Sequence, residues 1–357
     1  MKIATVTFEP CVQRQEDTAW KFARASIPEV RGWTIRIVSD DGVTGIGYGH
    51  ALAAVTGHAA GVGAALEFLK PRLIGRDTAD LAALVAELDT TVVYNPSAKA
   101  GLEMALYDLI ARSLDTSVGS LIGGRHRASI PCSRLIPLKQ PEEMAAKCAA
   151  LALEGYRTLK LKLSGEPDLD RDRIAACRAA LGPAVKLTLD PNQSYSAKGF
   201  LKAWGAFEAH DIALVEQPVP AHDTRGLALL TAELPVAVEA DECANSLADV
   251  TRLAHARAAD VINLKIPKLG GVGATLAAIA VCEAHGIGCR FGASFGPSLL
   301  QAFTAHLVAR IAKLEHACEL AEHLHLLDDP FTPLPVIAGT LTVPISPGTG
   351  VTLQVAA

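Results

Sequence analysis

From about residue 128 the chain repeats one rhythm, a short apolar run followed by a stretch of helical periodicity. The runs are ASIPCSRL, TLKLKL, VKLTLD, IALVEQP, VAVEADE, VINLKI, GIGCRFG and LEHACEL, and segments such as DRDRIAACRAAL, AKGFLKAWGAF and ATLAAIAVCEAH lie between them. Strand then helix, repeated about eight times, predicts parallel strands joined by crossover helices, because parallel neighbours need a long return path. A (β/α)8 barrel is the natural closure, with the last units less regular.

Residues ahead of this region follow a different pattern. KIATVTFEP, GWTIRIVSD and VTGIGYGH read as strands, and helical patterns follow around 60–70, 79–89 and 97–113. In the last of these Leu102, Leu106, Leu109 and Ile110 share one face, and Asn95-Pro96-Ser97 supplies a start signal. The tail GTLTVPISPGTGVTLQVAA is again β-like. We therefore expect an α+β domain over residues 1–125, a barrel over 126–328, and a segment over 329–357 that returns to the first domain.

Barrel strands are buried on both faces, so a charge inside one is unfavourable unless it is paired or ligated. Taken alone, TLKLKL reads as an amphipathic edge strand with its lysines in water. Yet nearly every middle strand carries a charge near its C-terminal end: Lys160 and Lys162, Asp190, Glu216, Asp241 and Lys265. Successive gaps from Lys162 are 28, 26, 25 and 24 residues, one strand–helix unit each time. The groups should therefore converge at the mouth where barrel enzymes work.

Any one of these carboxylates could be a helix N-cap, but three on adjacent strands would repel without a cation between them. Oxygen ligands with no nearby His or Cys point to Mg2+, or Mn2+ in its place, held by Asp190, Glu216 and Asp241. Lys162 and Lys265 fall on opposite sides of that ring. A cation cluster near a metal favours neutral amines, so we expect depressed lysine pKa values suited to general-base work, with Lys160 pushing Lys162 the same way. Such a site suits removal of a proton alpha to a carboxylate, with the metal stabilising the ene-diolate and the second lysine returning a proton.

The net charge of −5, with acids and bases interspersed, offers no basic patch for nucleic acid. The N-terminus lacks the apolar run of a secretory signal, and GATLAAIAVCEAHGIGC is interrupted by Glu283 and His285, so we expect no membrane span. Eight scattered cysteines without C-x-x-C pairs argue against zinc and disulfides, and for a cytoplasmic protein.

The constellation closely resembles the enolase superfamily, in particular its muconate-lactonizing-enzyme subgroup. The likeness runs through GLEMALYDLIARSLDTSVGSLIGGR, Lys160-Leu161-Lys162, Asp190-Pro191-Asn192, Glu216-Gln217-Pro218, Asp241-Glu242, Asn263-Leu264-Lys265 and VPISPGTGV. It implies a (β/α)7β-type modified TIM barrel with an α+β capping domain built from the N-terminal part and the C-terminal tail. It also implies metal at Asp190, Glu216 and Asp241, acid/base roles for Lys162 and Lys265, tuning by Lys160, and support from Asn192 and Glu242. Assembly into a homo-oligomer is a further implication. The mandelate-racemase branch would need a histidine in GIGCRFGA, which has none.

Three departures lie where the far part of a substrate would sit. Gly292-Ala293-Ser294 stands where the subgroup often has a glutamate before Ser/Thr. His316-Ala317-Cys318-Glu319-Leu320 replaces the D-x-D of dipeptide epimerases, which counts against a dipeptide, and Gly47-Tyr48-Gly49-His50 replaces G-x-G-E. Trp20, Phe22, Arg24, Tyr48, His50, His58 and Ser294 are candidates for substrate contact, set against ordinary packing. Arg134 and Arg290 could receive a second anionic group, or be neutralised by Glu319. Gly270-Gly271-Val272-Gly273 reads as a tight turn, with a phosphate nest as the alternative.

The leading expectation is thus a racemase or epimerase of an amino-acid-like carboxylate. Muconate-type cycloisomerisation and syn dehydration of a hydroxy acid share its first half. Rivals are a Schiff-base aldolase through Lys265 and a non-catalytic binding protein.

Overall fold

The computed structural model describes residues 1–354; the last three residues of the expected 329–357 segment lie outside it. Strands β1 (Ile3–Arg14), β2 (Glu29–Ser39) and β3 (Thr44–Ala51) form an antiparallel sheet in that order. Helix α1 (Pro96–Ser113) packs on β3. Close approach explains two glycines of β3, since a Cβ on Gly45 would fall 2.2 Å from the Ala105 carbonyl and one on Gly47 2.0 Å from that of Gly101.

The barrel sheet has seven parallel strands in sequential order: β4 (Arg134–Ile136), β5 (Thr158–Lys162), β6 (Lys186–Asp190), β7 (Ile212–Glu216), β8 (Ala237–Ala240), β9 (Val261–Leu264) and β10 (Gly288–Phe291). The run LEHACEL, expected as an eighth strand, is an irregular closing segment instead. Cys318 forms a single parallel bridge to Cys132, the Ser133 amide donates to the Cys318 carbonyl at 2.8 Å, and the Glu319 amide donates to the Phe291 carbonyl at 2.8 Å. The gap between β10 and β4 is closed by a few bonds rather than a ladder. One cause is that ASIPCSRL divides its pairing, with Ser129–Pro131 turning away to pair antiparallel with Thr340–Thr342 of the tail.

The tail then reaches α1. The Thr349 amide donates to Asp108 at 2.7 Å, and Arg112 Nη2 donates to the Val351 carbonyl at 3.0 Å. All eight cysteines are free and buried. Among the described residues no helix is long and apolar enough to cross a membrane.

Helix α1 also carries Glu103, which is 3% exposed and docks against Gly271 and Gly273 of the barrel. Burial pushes its carboxyl up to about 7, with the Gly273 amide opposing and Asp89 adding to the shift. The unfolded acid ionises near 4.5, so the folded state binds the proton more tightly. Its contribution to stability is present below that pH and is lost as pH rises through 7, by about 3 kcal/mol. Thermal melts from pH 5 to 8 should show this decline in the native chain and a flatter profile in Glu103→Gln.

Candidate active site

The ends of β5 to β9 open onto a cavity of about 260 Å3 whose floor is polar and whose roof is apolar. Lys160, Lys162, Asn192, Glu216, Asp241, Glu242 and Lys265 line it. Trp20, Phe22, Ile27, Leu52, Val55 and Phe295 form the cover, and Arg24 stands exposed among them. Trp20 is buried edge-on against Phe295 at 4.8 Å between ring centres, which seats the Lys21–Ser26 hairpin over the barrel. Such a cover excludes water from whatever the floor binds.

Asp190, Glu216 and Asp241 are each held by ammonium groups. Lys162 Nζ lies 2.5 Å from Asp190 Oδ2, and Lys160 Nζ lies 2.7 Å from both Glu216 and Glu319 and 3.2 Å from Asp190. Across the mouth, Lys265 Nζ is 2.6 Å from Asp241 Oδ2, and Lys268 Nζ is 2.6 Å from Asp241 Oδ1 and from its carbonyl. Two left-handed residues follow Asp190, Asn192 at φ 45° and Gln193 at φ 69°. They turn the chain so that the Asn192 amide donates to Asp190 Oδ1 at 3.0 Å while its side chain donates to Glu242 at 3.2 Å.

Desolvation and pairing push these groups apart. Burial raises Asp190 and Asp241, but their lysine pairs prevail and hold both below the ordinary carboxylate range, Asp241 well below. Burial and then the neighbouring Asp190 push Glu216 well above it. Lys265 departs from the sequence expectation. Burial opposes charge on Lys160 and Lys265, yet Glu216 and Glu319 around Lys160, and Asp241 and Glu216 around Lys265, raise both amines above the usual lysine range. Carboxylates outnumber the cations near enough to repel, so the ammonium form wins.

Among the described residues no three acidic, histidine or cysteine side chains form a finished metal cage. The donor set nevertheless suits a hard divalent cation. Asp190, Glu216 and Asp241 are linked by mutual repulsion, and Glu216 Oε1, Glu242 Oε2 and Asn192 Oδ1 are buried with no hydrogen-bond partner among the described residues. Unanswered oxygen acceptors are what such an ion binds.

Other candidates stand elsewhere. Arg290 is fully buried, with Nη1 at 2.7 Å from Glu239 and 3.1 Å from Glu216 and Nη2 at 2.7 Å from Glu319. It is consumed by barrel carboxylates and has no face for a substrate. Arg134 donates to Tyr156 Oη at 3.2 Å and to the ring of His325 at 3.0 Å, outside the cavity lining. His50 is buried with Nδ1 2.7 Å from Thr56 Oγ1 and its pKa lowered to about 4 by burial; Tyr48 is buried and His58 caps a helix. Ser294 is buried between two residues that do line the cavity, and its carbonyl accepts from Gln301 at 2.7 Å. Sequence reasoning missed Lys268, Gln193 and Asn245. A signal for Lys268 existed, because Ile266-Pro267-Lys268 starts a helical turn that returns residue 268 toward residue 265.

The family profile for the enolase C-terminal domain-like fold matches residues 143–357, and the mandelate racemase/muconate lactonizing enzyme N-terminal domain matches residues 2–123. Among curated relatives, the L-Ala-D/L-Glu epimerase of Clostridium acetobutylicum is 33% identical over 294 residues, 81% of this chain and 82% of that protein. A muconate lactonizing enzyme from Pseudomonas fluorescens, solved with muconolactone, superposes with a TM-score of 0.94 at 29% identity, covering 99% of this chain and 97% of that one. A dipeptide epimerase from Enterococcus faecalis, solved with Mg and L-Leu-L-Tyr, gives 0.94 at 28% identity over 99% and 100%.

Proposed function

The chain belongs to the mandelate racemase/muconate lactonizing enzyme group of the enolase superfamily and is an isomerase of that group, and from this footing we propose that it racemises or epimerises an amino-acid-like carboxylate at its alpha carbon. The observation that carries the reading is the placement of two lysines. Lys162 ends β5 and Lys265 follows β9, four strand positions apart in a ring of seven strands and a closing segment, and both face one cavity. Amines so opposed can reach the two faces of one carbon, one removing a proton once it has shed its own and the other, as ammonium, delivering one.

Asp190, Glu216 and Asp241 would hold Mg2+ or Mn2+, which when bound supplies stabilisation of negative charge on the substrate carboxylate. Lys160, bonded to Glu216 and Asp190, fixes that side of the floor and adds positive charge beside Lys162. Asn192 and Glu242 brace it from behind. Trp20, Phe22 and Phe295 keep water from the reacting carbon, and Arg24 at the mouth favours a polar or anionic far end. Buried free thiols support a reducing compartment such as the cytoplasm. The likeness to a muconate lactonizing enzyme makes cycloisomerisation the second reading, since adding a carboxylate oxygen across an alkene leaves the carbon alpha to the other carboxylate to be protonated, which one of these lysines could do.

The test is incubation with MgCl2 in D2O of N-acyl amino acids, dipeptides and muconates, followed by mass and NMR analysis. We expect deuterium at the alpha carbon, inversion of configuration, and loss of both on adding EDTA with recovery on excess Mg2+. Lactone formation without inversion would select the second reading. Exchange indifferent to EDTA, or a substrate trapped on Lys265 by borohydride, would overturn the first.

A further inference from the structure

The glycine-rich turn after Lys265 does seat an acidic group, and that group is the protein's own. Glu103 reaches from the cap helix α1 so that Oε1 accepts the Gly273 amide at 2.9 Å. A Cβ on Gly271 would fall 1.6 Å from Glu103 Oε2, so a glycine, here at φ 149°, is required for the carboxylate to seat. The barrel helix Val272–His285 starts at Gly271 without a side-chain cap of its own. Glu103, 170 positions away in the chain, supplies the missing acceptor.

What this dock holds is the segment that carries both lysines of the Asp241 side. Lys265 is immediately followed by the helical turn Ile266–Leu269, which packs on α1, and then by Gly270 and Gly271. Lys265 and Lys268 both reach Asp241 at 2.6 Å. The opposite amine has a different anchor, since Lys162 is part of the β5–β6 ladder in register with Asp190. One face of the site is therefore fixed by the barrel sheet and the other by a contact from the cap.

We propose that Glu103 is a positioning residue, which through the Gly273 amide, its close fit against Gly271 and the Ile266–Leu269 turn holds Lys265 and Lys268 against Asp241. The functional consequence rests on the two-base reading above: loss of the dock impairs proton transfer on the Lys265 face and spares the Lys162 face. The placement itself stands or falls without turnover.

The test uses the full-length protein without substrate. Backbone hydrogen–deuterium exchange is compared in the native chain, Glu103→Ala and Glu103→Gln, together with the rate at which dilute acetic anhydride acylates each active-site lysine. In Glu103→Ala, amides of residues 266–273 should exchange roughly tenfold faster and Lys265 should acylate faster, while the Thr158–Lys162 amides and Lys162 stay unchanged. Glu103→Gln, which keeps an acceptor for Gly273, should restore native behaviour. If the alanine variant fails to fold, Glu103→Asp draws the carboxylate back by one methylene and should show the same one-sided pattern at smaller amplitude. Equal loosening of both lysines, or none, overturns the proposal. Neither result bears on whether the native enzyme exchanges an alpha hydrogen, so that reading is judged separately.

Discussion

Lys162→Ala and Lys265→Ala should each leave a folded protein that no longer inverts its substrate, with turnover down by roughly 10²–10⁴. Folding survives because each lysine shares its carboxylate. Asp190 keeps Lys160 at 3.2 Å when Lys162 is removed, and Asp241 keeps Lys268 at 2.6 Å when Lys265 is removed. No buried acid is stranded, so the loss should appear in rate and not in melting temperature. The informative result is the asymmetry between the variants. Inversion requires both amines, but removal and return of a proton on one face requires one. In D2O each single variant should still wash deuterium into one hand of the substrate, and the two variants should retain opposite hands. NMR of the alpha position with each hand supplied separately measures this. A double alanine variant that still exchanges, or two singles that retain the same hand, would sink the opposed-base assignment.

That pair was legible because barrel geometry is periodic. Gaps of 24 to 28 residues between charges reproduce one strand–helix unit, so position along the string translates into position around the ring. The same arithmetic put Asp190, Glu216 and Asp241 on neighbouring strands; Glu216 and Asp241 line the cavity, and Asp190 stands beside it, paired with Lys160 and Lys162. It failed where the deciding contact is set by something other than strand period. Lys268 sits on a helical turn, and Glu103 comes from another domain. LEHACEL has the composition of a strand but closes the barrel with a few bonds, because the partner it needs has turned toward the tail. The direction of the Lys265 shift was also misread, since it depends on how many carboxylates surround that amine and not on strand order. His50 and Ser294 lie near the cover in sequence but are committed to Thr56 and to a backbone turn. Trp20 lines the cavity cover but is also packed into it against Phe295, so contact and ordinary packing meet in one side chain.

Arg290→Met should be the most destabilising conservative-volume change in the barrel, by about 3–5 kcal/mol, which is a large share of the 5–15 kcal/mol that holds a typical domain. The side chain is fully buried on β10 and its guanidinium spans the barrel interior. It donates to the Ala317 carbonyl at 2.8 Å and to Ser133 Oγ at 3.2 Å, besides its three carboxylates. Glu319 and Glu216 each retain Lys160, but Glu239 pairs with Arg290 alone among the described residues. Removing the cation therefore strands Glu239 where it is fully buried, and desolvation of that one acid dominates the expected loss. The corollary separates charge from packing. Glu239→Gln in the Arg290→Met background removes the stranded charge and should recover at least half of the lost stability, although each change alone destabilises. Chemical denaturation of the four proteins gives the coupling directly. If Arg290→Met unfolds at the native denaturant midpoint, the Arg290–Glu239 pair is not what holds this part of the barrel together.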